Sequence, residues 1–144
     1  MSRLVVYVRS SFCPDVARWR RWVSANPIDY VEFDIDRDPE AYRRVLDWTG
    51  HESVPTLVIA ADDGIVPIEE PEPLPAGRGP RAVDRGTMLT EPNPGQIAPF
   101  LDRHGISYGD PAEEAAPAVA AGVAAGDRDG ASDTPGRRRW WQLR

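Results

Sequence analysis

The sequence predicts an α/β protein ordered β-α-β-α-β-β-α around a central mixed sheet. Three observations predict it. A valine-rich run, Leu4-Val5-Val6-Tyr7-Val8, is followed by apolar residues at helical spacing and then by a second short strand-like run with alternating apolar residues. That order makes two parallel strands joined by a crossover helix. Asp38-Pro39-Glu40 marks the start of another helix, and a mostly apolar run at residues 54–60 follows it as a further strand.

The elements follow in order. Residues 3–8 alternate weakly and are rich in Val, as a buried strand is. From Pro14, Val16, Trp19 and Val23 fall at i, i+3 and i+7, one helical face, while Arg18, Arg20 and Arg21 can face water. Asn26-Pro27 ends that helix. In the second strand, residues 30–35, Val31, Phe33 and Ile35 share a side. Asp38 is the expected N-cap of the next helix, with Pro39 and acidic Glu40 in its first turn. That helix is expected to bury Tyr42, Val45 and Leu46 and to stop at Gly50. Residues 54–60 form the third strand and 87–90 a short fourth. Asn93-Pro94 opens a last helix carrying Ile97, Phe100, Leu101 and His104, with Gly105 as its stop. Pro99 inside it is expected to kink or shorten it.

Residues 1–108 therefore read as one domain, within which 62–82, holding five prolines and the acids Glu69, Glu70 and Glu72, are an irregular Pro-rich insertion. Residues 109–144 read as a disordered tail without a periodic apolar face. The tail is split in charge: 110–136 hold six acids and one Arg, and 137–144, RRRWWQLR, hold four Arg and no acid. Arg and Trp together in 137–144 suggest a binding partner for that stretch.

The bulk numbers set limits. With 144 residues, 41% of them hydrophobic, the chain can form one domain with a real core. No apolar run approaches the roughly 18–20 residues of a membrane span, and no signal-peptide pattern opens the chain, so a cytoplasmic protein is expected. The net charge of −6 argues against nucleic acid as a partner. The single cysteine, Cys13, cannot form an internal disulfide, which fits a reducing compartment.

Cys13 sits where the first strand passes into the first helix, in SSFCPDV. A thiol there meets unsatisfied N–H groups and the positive end of the helix dipole, a field that favours the nucleophilic thiolate. Pro14 suits the first helical position, because its missing N–H had no partner there. Arg9 would add positive charge and Asp15 would subtract some. The alternative is that Cys13 is a small buried hydrophobe, as many lone cysteines are.

VVYVRSSFCPDV, then HESVPTLVI, then GTMLTEP, in this order and spacing, resemble the glutaredoxin-like proteins of the thioredoxin superfamily. The subgroup with a C-P-D-C motif and the mycoredoxins look most similar, over about residues 3–104 with 62–82 interrupting. The resemblance implies a thioredoxin fold and thiol–disulfide exchange with a low-molecular-weight thiol, glutathione or mycothiol, as co-substrate and thiolated proteins as substrates. No tightly bound cofactor is implied. Cys13 matches the nucleophile. Pro55 matches the proline that is cis in this family and faces the active cysteine, and the backbone of Val54 would pair with the bound thiol. Arg9, Phe12, Pro14 and Thr56 complete the implied thiol-binding set.

Three departures qualify the resemblance. Val16 stands in place of the second cysteine, so the internal dithiol route is closed. Glu52 stands where relatives often carry an Arg for the thiol's carboxylate. TEPNPGQ replaces the Gly-Gly-x-Asp element of glutathione-binding members, although Asn93 and the helix start at Pro94 still offer N–H groups to a carboxylate.

Other candidate sites read as structural. Asp34, Asp36 and Asp38 alternate like the opening of a calcium loop, but Pro39 and Val45 occupy its glycine and glutamate positions. They read as solvated strand-end and capping residues. His51 and His104 lack partners at metal spacing, so no metal site is expected. The sequence thus points to a monothiol glutaredoxin-like oxidoreductase acting through Cys13. A catalytically degenerate binding or adaptor module of the same fold is the alternative. Bridging an iron–sulfur cluster ranks last, since the C-G-F-S motif of the relatives that do so is absent.

Overall fold

The computed structural model describes residues 1–109. Its elements are β1 (Ser2–Val8), α1 (Pro14–Ala25), β2 (Val31–Asp34), α2 (Pro39–Thr49), β3 (Thr56–Ala61), β4 (Val83–Asp84), β5 (Met88–Thr90) and α3 (Pro94–Arg103). The five strands form one sheet in the order β2-β1-β3-β5-β4.

Leu4, Val5, Val6, Tyr7 and Val8 are all buried, as a strand covered on both faces requires. β1 pairs antiparallel with β3, from Ser2 opposite Ala61 to Tyr7 opposite Thr56. On its other side lies β2, reached through α1. The ends of β1 and β2 lie together, Ile35 N–H donating to the Val8 carbonyl at 2.8 Å, as parallel strands joined by a helix require. This matters for the site, because the loops leaving the two strands then emerge side by side.

The helices cover the sheet with short apolar faces. α1 buries Val16 and Trp19, and α3 buries Ile97, Phe100 and Leu101. On the Tyr7 side of β1, Trp48 of α2 meets the Tyr7 ring edge-on at 5.2 Å, and Phe33 stacks on it at 5.3 Å. The Asp38 carboxylate accepts from the Glu40 and Ala41 N–H groups, and Gly50 closes α2 in the left-handed region at φ 78°.

Three elements differ from the sequence expectation. The buried face of α2 is Ala41, Val45 and Thr49, not Tyr42, Val45 and Leu46. Tyr42 is half-buried because its hydroxyl reaches outward to Glu52 at 3.0 Å. A short strand, β4, precedes β5, and the two form a hairpin whose turn needs Gly86 at φ 86°. α3 continues past Pro99 to Arg103, with the proline ring on its exposed face.

Residues 62–82 leave β3 and return at the hairpin. Gly64 accepts two hydrogen bonds from Arg3, Ile65 accepts from the Tyr7 hydroxyl, and Ile68 N–H donates to Ile59 at 2.8 Å. Among the described residues, Ala25–Val31 and residues 108–109 belong to a separate unit, in which Gly109 N–H donates to the Pro27 carbonyl at 3.1 Å. Apart from Gly109, the expected disordered tail at 109–144 lies outside the described residues, as does the basic, Trp-containing stretch 137–144.

Candidate functional site

Cys13 caps α1: its carbonyl accepts the Ala17 N–H at 3.0 Å, the first bond of the helix, while Pro14 takes the first helical position. The residue is half-buried. Its Sγ lies 3.9 Å from the Val54 carbonyl oxygen. The Val54–Pro55 peptide bond is cis. Sequence positions 13 and 54–55 thus meet at one end of the sheet.

The loop before Cys13 is held by aspartates at the end of β2. The Asp36 carboxylate accepts from the Ser11 N–H at 2.9 Å, the Ser11 hydroxyl at 2.8 Å and Arg9 Nη2 at 3.1 Å. Asp34 Oδ1 accepts from the N–H groups of Ser10 at 3.2 Å and Asp36 at 2.9 Å. The Ser11 donors, followed by Arg9, hold the Asp36 carboxyl well below the usual carboxylate range. These aspartates are not merely solvated strand ends. They set the course of the chain toward the thiol.

The remaining site residues divide. Phe12, 87% exposed, stands beside Cys13 with its ring in water. The Arg9 guanidinium is engaged by two carboxylates, Asp36 and, at 3.0 Å, Glu52. Glu52 is also the acceptor of the Tyr42 hydroxyl. The charge reversal at position 52 therefore has a local partner in Arg9. Thr56 is fully buried: its hydroxyl donates to the Ser53 carbonyl at 2.8 Å and lies 3.2 Å from the Thr90 hydroxyl. It links Ser53, just before the cis bond, to Thr90 of β5. Asn93 N–H is taken by Gln96 Oε1 at 2.9 Å, so this donor at the start of α3 is already satisfied.

Sequence reasoning missed a cluster around Asp15, two residues after Cys13. Asp15, in the first turn of α1, accepts from Arg18 at 2.6 Å and from both terminal nitrogens of Arg81, at 2.8 and 2.9 Å. Arg81 also donates to Glu91 at 3.1 Å. The Arg81 hydrogen bonds lower the Asp15 carboxyl, whereas burial raises that of Glu91. Arg81 comes from the end of the insertion, 66 positions from Asp15. Glu91 follows β5 at φ 46°, and its N–H donates to the Pro55 carbonyl at 2.8 Å.

Neither histidine joins a metal set. His104 Nε2 is 2.7 Å from the Gly86 carbonyl, and His51 N–H donates to Thr49 Oγ1 at 3.1 Å. Among the described residues no group of three or more His, Cys, Asp or Glu side chains is placed to hold a metal ion. No described helix is long and apolar enough to cross a membrane.

Residues 4–63 match the family model for glutaredoxin. No curated protein and no solved structure matches the chain. The matched stretch runs from β1 to just past β3 and contains both Cys13 and the cis Val54–Pro55 bond. With three helices on a five-stranded mixed sheet, the chain has an α/β thioredoxin fold, and the match supports a glutaredoxin-like protein of that superfamily.

Proposed function

We propose that this chain is a glutaredoxin-like thiol–disulfide oxidoreductase working by a monothiol route. The family match supports thiol–disulfide chemistry of a glutaredoxin type. The observation that carries the monothiol reading is the position of Cys13: the only cysteine of the chain caps a helix and lies 3.9 Å from the carbonyl next to a cis proline.

The Cys13 thiolate attacks the low-molecular-weight half of a protein mixed disulfide. A Cys13 Sγ–S bond forms, the original S–S bond breaks, and the protein thiolate leaves and takes a proton from water. A second molecule of the low-molecular-weight thiol, as thiolate, then attacks the new mixed disulfide. It leaves as the small-molecule disulfide, and Cys13 is returned reduced. Per turnover the protein thiol is released, one free small thiol is consumed, and it leaves joined to the small thiol that the substrate carried in.

The Val54 backbone is the surface for the cysteinyl part of the small thiol, paired as an added strand pairs. Phe12 and Pro14 flank the approach to sulfur. Arg9 meets the thiol's carboxylate only by giving up Asp36 or Glu52. Glutathione and mycothiol are both candidate co-substrates, and the reaction belongs in a reducing cytoplasm.

The test is turnover of a peptide carrying a mixed disulfide with glutathione or, in parallel, with mycothiol. Intact mass should show one thiol adduct on the parent and none on Cys13→Ser, with catalytic release of reduced peptide by one of the two thiols. An adduct without turnover by either thiol would leave the fold as a binding module.

A further inference from the structure

We propose that Arg9 and Glu52 brace the mouth of the thiol site: Arg9 is a positioning residue that holds the Cys13 loop to the segment before Pro55, and not the receptor of a thiol's carboxylate. This rests on the proposed function, because it concerns how a small thiol is seated beside Cys13.

The course of the two chains calls for such a link. β1 and β3 pair as far as Tyr7 opposite Thr56. Past that pair both chains leave the ladder, one running on to Cys13 and the other arriving through Glu52 and Val54. Among the described residues, two polar contacts join residues 9–13 to residues 52–54. One is the 3.9 Å approach of Cys13 Sγ to the Val54 carbonyl, and a thiol is a weak donor. The other is the 3.0 Å bond from Arg9 Nη2 to Glu52 Oε1. The same nitrogen donates to Asp36 Oδ1 at 3.1 Å, and Asp36 holds Ser11 by its N–H and its hydroxyl. Glu52 is fixed through its second oxygen, which accepts the Tyr42 hydroxyl from α2. The brace therefore begins two residues before Cys13 and ends two residues before Val54. It ties together the two walls between which the cysteinyl part of a small thiol would pair with the Val54 backbone. Its charge-assisted bond is the stronger of the two contacts, so cutting it leaves the spacing of the walls poorly defined.

The experiment thiolates Cys13 in the whole chain with two probes. The disulfide of N-acetylcysteine amide is uncharged and carries a cysteinyl backbone, and the disulfide of N-acetylcysteine is the same skeleton with free carboxylates. The Cys13 thiolate forms an S–S bond to one half of the probe, the probe's own S–S bond breaks, and the other half leaves as a thiolate that takes a proton from water. Iodoacetamide needs no seat and measures the sulfur alone, so each thiolation rate is divided by the alkylation rate. A general loosening of the fold, or a change in the thiolate fraction, moves both rates and cancels. Arg9→Met and Glu52→Gln should each lower both ratios about threefold, the size an exposed charge pair carries. The double variant should fall no lower than either single one, because both remove the same bond.

A carboxylate receptor would behave differently. Glu52→Gln would then free Arg9 and raise the ratio for the anionic probe, while Arg9→Met would lower that ratio alone. That pattern, unchanged ratios, or additive losses in the double variant would overturn the brace. Arg9→Gln and Glu52→Ala carry the same test if the first variants do not fold. Thiolation needs no turnover, so this result stands apart from the mixed-disulfide assay. Failed turnover with brace-dependent ratios would sink only the oxidoreductase reading, and turnover with ratios that the variants leave alone would sink only the brace.

Discussion

The carboxylate of Asp36 holds Ser11 twice, accepting its N–H at 2.9 Å and its hydroxyl at 2.8 Å. This ties the loop that presents Cys13 to the end of β2, and the bonds keep the carboxyl well below its ordinary value of 3.8. A depressed carboxyl contributes its stability in full above the ordinary value and loses it as pH falls through the folded value. Asp36→Ala should therefore lower the denaturant midpoint at about pH 7, and the gap to the parent should narrow by about pH 2. A gap independent of pH would mean that the charge on Asp36 does not hold the loop.

Thr56→Val tests whether Thr56 supports the turn or binds the thiol. Its hydroxyl has two buried partners, Ser53 O and Thr90 Oγ1. The isosteric change leaves both unsatisfied and should cost about 1–3 kcal/mol of stability. The variant's denaturant midpoint measures this. An unchanged midpoint with weakened small-thiol binding would return Thr56 to the binding set.

Much of this was legible in the sequence, for physical reasons that can be named. β1, α1, β2 and α2 are written in local apolar spacing, the Asp38 cap and the Gly50 stop, all short-range signals. Cys13 and Pro55 were legible through the likeness of their flanking residues to glutaredoxins. The Asp36–Ser11 bonds were missed: the alternating aspartates read as solvated strand-end and capping residues, although parallel strands joined by a helix bring their ends together. Arg81 was not legible at all. Its partner Asp15 is 66 positions away across an irregular insertion, where no periodicity or turn signal fixes the return of the chain. The two-residue strand β4 was too short for a pattern, although Asp84 and Gly86 mark the turn that follows it.

Glu91→Gln has an unusual sign. Burial, above all, raises the Glu91 carboxyl from its ordinary 4.5, only partly offset by Arg81. The folded chain thus holds that proton more tightly than the unfolded one, and the parent loses stability as pH rises from 4.5 through the folded value. The amide cannot ionise. The midpoint of Glu91→Gln should gain on the parent between about pH 4 and about pH 7. A constant difference across that range would show that ionised Glu91 carries no burial penalty.

Val16→Cys should create a dithiol activity that the natural chain lacks. Val16 lies in the first turn of α1, three positions after Cys13, and is 6% exposed. Cys13 stands just outside the helix as its cap, so its side chain is not bound to the regular i,i+3 separation of about 5–6 Å. A disulfide needs Cβ atoms about 3.5–4.5 Å apart, which this junction can supply. Cys13 remains the attacking thiol because it is the more exposed of the two positions. The new thiol at position 16, deeper in the turn, resolves the mixed disulfide from inside and removes the need for a second small thiol. Replacing the isopropyl group by a smaller thiol should cost about 1 kcal/mol of packing. Mild oxidation of the variant, a count of free thiols and an assay of protein-disulfide reduction together measure the outcome. Loss of both free thiols with a gain in reduction over the parent is expected. Two thiols left unreacted would mean that positions 13 and 16 are not close enough to bridge. A bridged variant that reduces no faster than the parent would mean that Val16 was never what limits this chain to one thiol.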